Sequence, residues 1–219
     1  ILAALALDRS LADVDPQGAL FFDVESTGLA GGTGTVPFLI GLAWFEDDGQ
    51  GGRRLAFEQL LLPEYGRETP MLEQLCWRMA KATLLVSFNG KSFDLPLLRT
   101  RCVLSRVSPA EPPPHFDLLH VARRVHRLKS KAISSPDEAE TSCRLMALER
   151  KILGLVRDDD LPSAEVPSRY RHWLRLRDLR VLTSVCEHNR WDVLAMAGLM
   201  ARYVEGVRAL AGDHPWSAR

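Results

Sequence analysis

The run Ala19 to Val24 is apolar enough for a buried strand, yet it carries Asp23 and is followed at once by Glu25. A fold that buries this segment must bury or border two carboxylates, and an unpaired carboxylate beside a core is among the costliest groups to accommodate. The conflict recurs at Asp94 in FNGKSFDLPLL and at Asp192 in EHNRWDVLAM. Divalent cations remove the penalty. The pattern therefore favours folds that gather separate segment ends around one charged point.

With 219 residues, 46% of them apolar, the chain can bury the core of one domain. Lys and Arg balance Asp and Glu, 28 against 28, so no global field draws in nucleic acid and any basic binding surface has to be local. Cys76, Cys102, Cys143 and Cys186 show no Cys-x-x-Cys pair and no zinc-finger spacing with histidine, which reads as reduced thiols in a cytoplasmic protein. The opening ILAALALDRSLADVD is short, lacks a basic leader and breaks into charge at Asp8, so it reads as neither signal peptide nor membrane span. A chain beginning at isoleucine reads as an excised domain. The expected division is an N-terminal extension over 1–18, the domain over 19–211 and a tail over 212–219.

Three apolar runs, Ala19 to Val24, Val36 to Phe45 and Leu55 to Leu62, predict a strand meander joined by short loops. Met71 to Lys81 has the spacing of an amphipathic helix, Thr83 to Phe88 that of a buried strand, and Leu95 to about Leu104 that of a second helix. Pro109, Pro112, Pro113 and Pro114 forbid helix, and HFDLLHVARRVHRL then starts extended and turns helical. Lys129 to Glu140 is polar and reads as a mobile excursion. Helices are expected near Ser142 to Leu153 and Ser168 to Leu176. A long last one starts between Asp178 and Trp191 and ends near Leu210. Strands first, then alternating strands and helices, predict an α/β domain with a central mixed sheet flanked by helices.

In a strand Asp23 and Glu25 project from the same side. Asp94 stands where a buried strand has ended and a helix begins, a boundary at which open α/β sheets place ligand groups. His188 and Asp192 lie one helical turn apart on one face. If the four acids converge, hard oxygen ligands with few histidines select Mg²⁺ or Mn²⁺ over zinc. Two ions roughly 3.5–4 Å apart suit phosphodiester cleavage, one activating water and one stabilising the leaving oxygen. An imidazole such as His188 is a suitable base near neutral pH.

DVESTGL, NGKSFD and HNRWD, in this order and in these settings, resemble the three motifs of the DEDD-superfamily 3′–5′ exonucleases. The chain looks most like their YprB-like ribonuclease-H-like branch, also in GGTGTVPFLIGLA, HFDLLHVARR and CRLMALERKILG, from about Leu20 to Leu210. The resemblance implies an RNase H-like fold with a five-stranded mixed sheet. It implies metal ligands at Asp23, Glu25, Asp94 and Asp192, two Mg²⁺ or Mn²⁺ ions, and a base at His188. It also implies that Ser26, Thr27 and Leu29 border the terminal nucleotide, with Asn89 and Phe93 lining the groove. The partner is then nucleic acid, a single-stranded 3′ end above all, with no membrane role. His188 stands four residues before Asp192, the spacing of the tyrosine-type members, where the histidine-type members use five.

Plainer readings exist for each feature. Asp23 and Glu25 suit a solvated strand end, Asp94 a helix N-cap, and His188 with Asp192 a surface pair. Segment 28–34 lacks the lysine and hydroxyl of a phosphate loop and reads as a hairpin turn. Arg99 to Arg106, Arg123 to Lys131 and Arg169 to Arg180 read as solvated faces or as phosphate contacts. Beside the exonuclease stand two alternatives, a nucleic-acid-binding domain that has lost catalysis and an endonuclease. Oligomeric state has no signature in the sequence.

Overall fold

The computed structural model describes residues 1–28, 33–109, 111–130, 143–158 and 160–212, with the side chains of 127–130 left aside. Five strands form one sheet: β1 (Ala19–Ser26), β2 (Pro37–Asp47), β3 (Arg53–Leu61), β4 (Leu84–Ser87) and β5 (His115–Asp117). Their order is β3-β2-β1-β4-β5. The first three form the expected antiparallel meander, while β4 and β5 add on in parallel. The helices are α1 (Leu2–Ala6), α2 (Thr69–Lys81), α3 (Asp94–Leu104), α4 (Leu118–Ser130), α5 (Leu145–Leu148), α6 (Val166–Leu176) and α7 (Thr183–Leu210). This is the mixed α/β sheet with flanking helices that the sequence predicts.

Strand alternation divides the core in two. Leu20 and Phe22 point to the face covered by α2, α3 and α6, where Leu72, Leu75, Leu98 and Tyr170 are buried. Tyr170 stacks on Phe38 with ring centroids 4.1 Å apart and donates its hydroxyl to the Leu62 carbonyl at 3.1 Å. Ala19 and Phe21 point the other way, toward α1, α4, α5 and α7, with Val121, Met196 and Leu199. Leu2, Leu5 and Leu11 are buried in this second layer. Asp23 and Glu25 continue the Ala19 and Phe21 row. They therefore face α7.

Local chemistry sets the ends that matter. Asn89 adopts φ 69° between β4 and α3, and its amide and that of Lys91 donate to the two carboxylate oxygens of Asp117 at 2.8 and 3.0 Å. The buried Asp117 thus fixes the turn that delivers Asp94. Asp94 does not cap α3. Phe93 holds the cap position without a side-chain bond, and Asp94 opens the first turn, where an acid faces the positive helix end. Arg101 of α3 forks onto the buried Glu68 just before α2 and ties those helices together. On β5 the buried His115 bonds Ser87 Oγ through Nε2 at 2.7 Å, and its Nδ1 has no partner. Burial pushes this imidazole down to about 4, against the pull of Asp117.

Candidate active site

The spacing between sheet and helix is set at Gly41, which pairs with Asp23 across β1 and β2. A Cβ there would stand 2.3 Å from Asn189 Oδ1 and 2.9 Å from Val193 Cγ2. Only glycine lets α7 come this close. The buried Asn189 uses the approach. Its Nδ2 donates to Asp23 Oδ2 at 2.8 Å, and its Oδ1 accepts from Gln59 Nε2 at 2.8 Å. The amide pins strand to helix and turns the Asp23 carboxylate.

His188 and Asp192 follow on the same side of α7. His188 Nε2 lies 3.9 Å from Glu25 Oε1 and 3.7 Å from Asp192 Oδ2, and 3.5 Å from Ser163 Oγ. Asp94 belongs to the same electrostatic neighbourhood, since Asp23 feels Asp192, Glu25 and Asp94 together. Burial, reinforced by these three charges, holds the Asp23 carboxyl well above the usual carboxylate range. Burial lifts Glu25 to about 7, and burial with the Glu25 and Asp117 charges lifts Asp94 to about 7. Asp192 is also raised by burial, although His188 and Arg157 oppose the rise. Burial alone would lower His188, but Asp192 and a bond to Asp160 raise it above its ordinary value.

Further charged side chains, from residues 149–160, surround this group. Arg157, its side chain 4% exposed, forks onto Glu149 and reaches Asp192 Oδ1 at 2.5 Å and Asp160 Oδ2 at 3.2 Å. Asp160 Oδ1 meets His188 Nδ1 at 2.8 Å. Glu149 is buried and begins a π turn over Glu149–Leu153 that continues α5. Such turns are frequent at functional sites. Asn189 lies within HNRWD and Glu149 within CRLMALERKILG, both in reach of a motif reading, whereas Arg157 and Asp160 carry no comparable signal.

The remaining sequence-predicted residues border this centre unevenly. Ser26 Oγ donates to the Gly28 carbonyl at 2.8 Å, and Thr27 Oγ1 accepts from the Val36 amide at 3.0 Å, so both hydroxyls brace the turn after β1. Leu29 lies outside the described residues, as do most of segment 28–34 and of the excursion expected over Lys129 to Glu140. Phe93 is exposed at the start of α3. Asn89 is half-buried in the turn before it. A cavity of about 600 Å³ opens over Asp23, His188 and Asp192, with Phe88, Leu145 and Met146 on its apolar wall and Arg144 and Ser163 at its rim.

Among the described residues no group of three or more His, Cys, Asp or Glu side chains is disposed, as it stands, to hold a metal ion. The donors nevertheless have the chemistry for one. They are hard carboxylate oxygens that repel one another, and among the described residues neither Asp23 nor Asp94 has an ion-pair partner. Arg157 adds one positive charge, against Glu149 and Asp160 as well as Asp192. It cannot balance the cluster.

Residues 20–204 match the family model described as the RNase_H superfamily. The chain belongs to this superfamily. Among curated proteins, this RNase_H superfamily domain is 36% identical over 199 residues to the uncharacterized protein YprB of Bacillus subtilis (strain 168), covering 90% of this chain. It spans 44% of that relative's length. Its RNase H-like fold is similar to part of the family B DNA polymerase of the archaeon Pyrobaculum calidifontis, with a TM-score of 0.59 and 13% identity over 85% of this chain and 24% of the polymerase. The zinc-bound E. coli ExoI–ssDNA complex aligns at a TM-score of 0.48 and 17% identity, over 78% of this chain and 43% of that one. Among the described residues of the superfamily domain no helix is long and apolar enough to cross a membrane.

Proposed function

We propose that this domain is a metal-dependent nuclease that hydrolyses phosphodiester bonds of DNA or RNA from a 3′ end, in the cytoplasm. The observation that carries the reading is that Asp23, His188 and Asp192 line one cavity, with Glu25 3.9 Å from His188 and Asp94 close enough for its charge to act on Asp23. Those four carboxylates would hold two Mg²⁺ or Mn²⁺ ions, whose positive charge activates water and stabilises the leaving oxygen. Asn189 keeps Asp23 turned toward the centre. Asp160 accepts a hydrogen bond from Nδ1–H of neutral His188, which leaves the Nε2 lone pair free on the side of Glu25 and Asp192. In that tautomer His188 accepts the proton of an attacking water. The apolar wall of Phe88, Leu145 and Met146 suits a nucleobase, while Ser26, Thr27, Asn89 and Phe93 would border the strand end.

A second reading has an observation of its own. Arg157 occupies Asp192 Oδ1, and against the opposing effect of burial Asp192 with Asp160 favours the protonated form of His188. A domain that kept this arrangement permanently would bind nucleic acid without cutting it.

End-labelled single strands incubated with Mn²⁺ or Mg²⁺ separate the two. The nuclease shortens linear strands stepwise, and Asp23→Asn abolishes this. Wild type and variant behaving alike would refute the hydrolytic reading. Cutting of a circular single strand would replace the exonuclease by an endonuclease.

A further inference from the structure

The surface of α6 carries a row of cations that the proposed chemistry leaves unused. The outward face of α6 presents Ser168, Arg169, Arg171, His172 and Arg175, all exposed. With Glu165 they line a surface cavity of about 430 Å³. Glu165 is the one acid in that lining, and Arg169 engages it at 3.3 Å. Among the described residues neither Arg171 nor Arg175 has an acidic partner. In a chain whose charges balance overall, such a concentration is a local positive field.

Its position gives the field a direction. Ser163, just before α6, lies 3.5 Å from His188 Nε2 and lines the cavity over Asp23 and Asp192. From Ser168 to Arg175 the helix advances roughly 10 Å at about 1.5 Å per residue. The opposite face of α6 is anchored by the buried Val166, Tyr170 and Trp173, so the helix is fixed on the sheet and the basic row is presented to solvent. The chain just before α6 therefore lies at the candidate active site, and the basic row follows from it along the outward side of the helix. We infer that this face of α6 is a track for the sugar-phosphate backbone of a single strand whose end occupies the site, with Arg171 and Arg175 on phosphates upstream of the scissile bond. The inference rests on the proposed nuclease reading for what lies at the end of the track. Its contacts are electrostatic and so indifferent to sequence.

Salt dependence of binding tests it. A fluorescent oligothymidylate of about 12 nucleotides, with phosphorothioate linkages that resist hydrolysis, is titrated with the full chain in Mg²⁺ by anisotropy, over a series of salt concentrations. Each phosphate contact on a single strand contributes about 0.7 to the slope of log K against log salt. Arg171→Gln with Arg175→Gln is expected to flatten the slope by about 1.4 and to weaken binding at low salt. Arg53→Gln with Arg54→Gln removes the same charge from the exposed start of β3 and is expected to leave the slope unchanged. Melting curves confirm that both pairs stay folded. An α6 slope equal to wild type, or an equal loss in the β3 pair, overturns the inference, as does failure of the wild type to bind. A flattened α6 slope in a protein that hydrolyses nothing keeps the track and sinks the nuclease reading instead.

Discussion

Replacing Glu25 by Gln asks whether the acid cluster is a strain in the metal-free fold. Burial raises the Glu25 carboxyl from 4.5 to about 7, with Asp192 and Asp160 adding to the rise and His188 opposing it. The unfolded chain loses this proton near 4.5, whereas the folded chain keeps it until about 7. Stability therefore falls as pH rises between those values and levels off above them. The difference amounts to about 3 kcal/mol at about 1.4 kcal/mol per pH unit. Glutamine keeps the shape without the charge but still loses hydration, so the expected gain above the window is about 2–3 kcal/mol. For a domain of this size that raises the melting temperature by about 4–12 °C. Thermal melts in EDTA at about pH 8 and pH 4.5, each repeated with Mn²⁺, provide the assay. The variant should outlast wild type at the higher pH, match it at the lower, and gain less from Mn²⁺. Equal or lower stability at the higher pH, together with equal gains from Mn²⁺, would refute the reasoning.

Arg157→Met is expected to destabilise the fold by about 3–5 kcal/mol, because it leaves the buried Glu149 and Asp192 without their shared cation. Denaturant titration measures this, and adding Glu149→Gln should recover part of the loss. Acid sensitivity should come in part from His115. Its folded value of about 4 lies below the unfolded 6.5, so the unfolded state takes up a proton first and stability is lost as pH falls from 6.5 toward 4. Comparing wild type with His115→Gln by denaturant titration across that window should show the variant losing about 3 kcal/mol less.

Much of this arrangement is legible in the sequence. Asp23 and Glu25 are two apart in a strand and must share a face, and the apolar alternation around them identifies that strand. His188 and Asp192 are one helical turn apart, so any helix through HNRWD presents them together. The short buried run of Thr83 to Phe88 and the helical spacing from Leu95 place Asp94 at a strand-to-helix junction, although its role as cap went instead to a position without a side-chain bond. What stayed hidden depends on pairings distant along the chain. Arg157 stands in the charged stretch RDDD, which carries no local pattern, and reaches Asp192, 35 residues away, only after α6 and α7 fold back. Gln59 meets Asn189 across 130 residues, a contact that no local period encodes. The expected helix near Ser142 to Leu153 is seen from Leu145 and gives way to a π turn at Glu149, a widening that hydrophobic spacing does not signal.

The missing side chain at position 41 has a consequence for judging relatives of this domain. A homologue could retain every acid of the three motifs and still fail to assemble them if a methyl group stood opposite Asp23, because the last helix would ride outward and carry two members of the cluster with it. Kinship in activity is therefore better diagnosed by a bare backbone in the second strand, matched to an amide three residues ahead of the final aspartate, than by counting carboxylates.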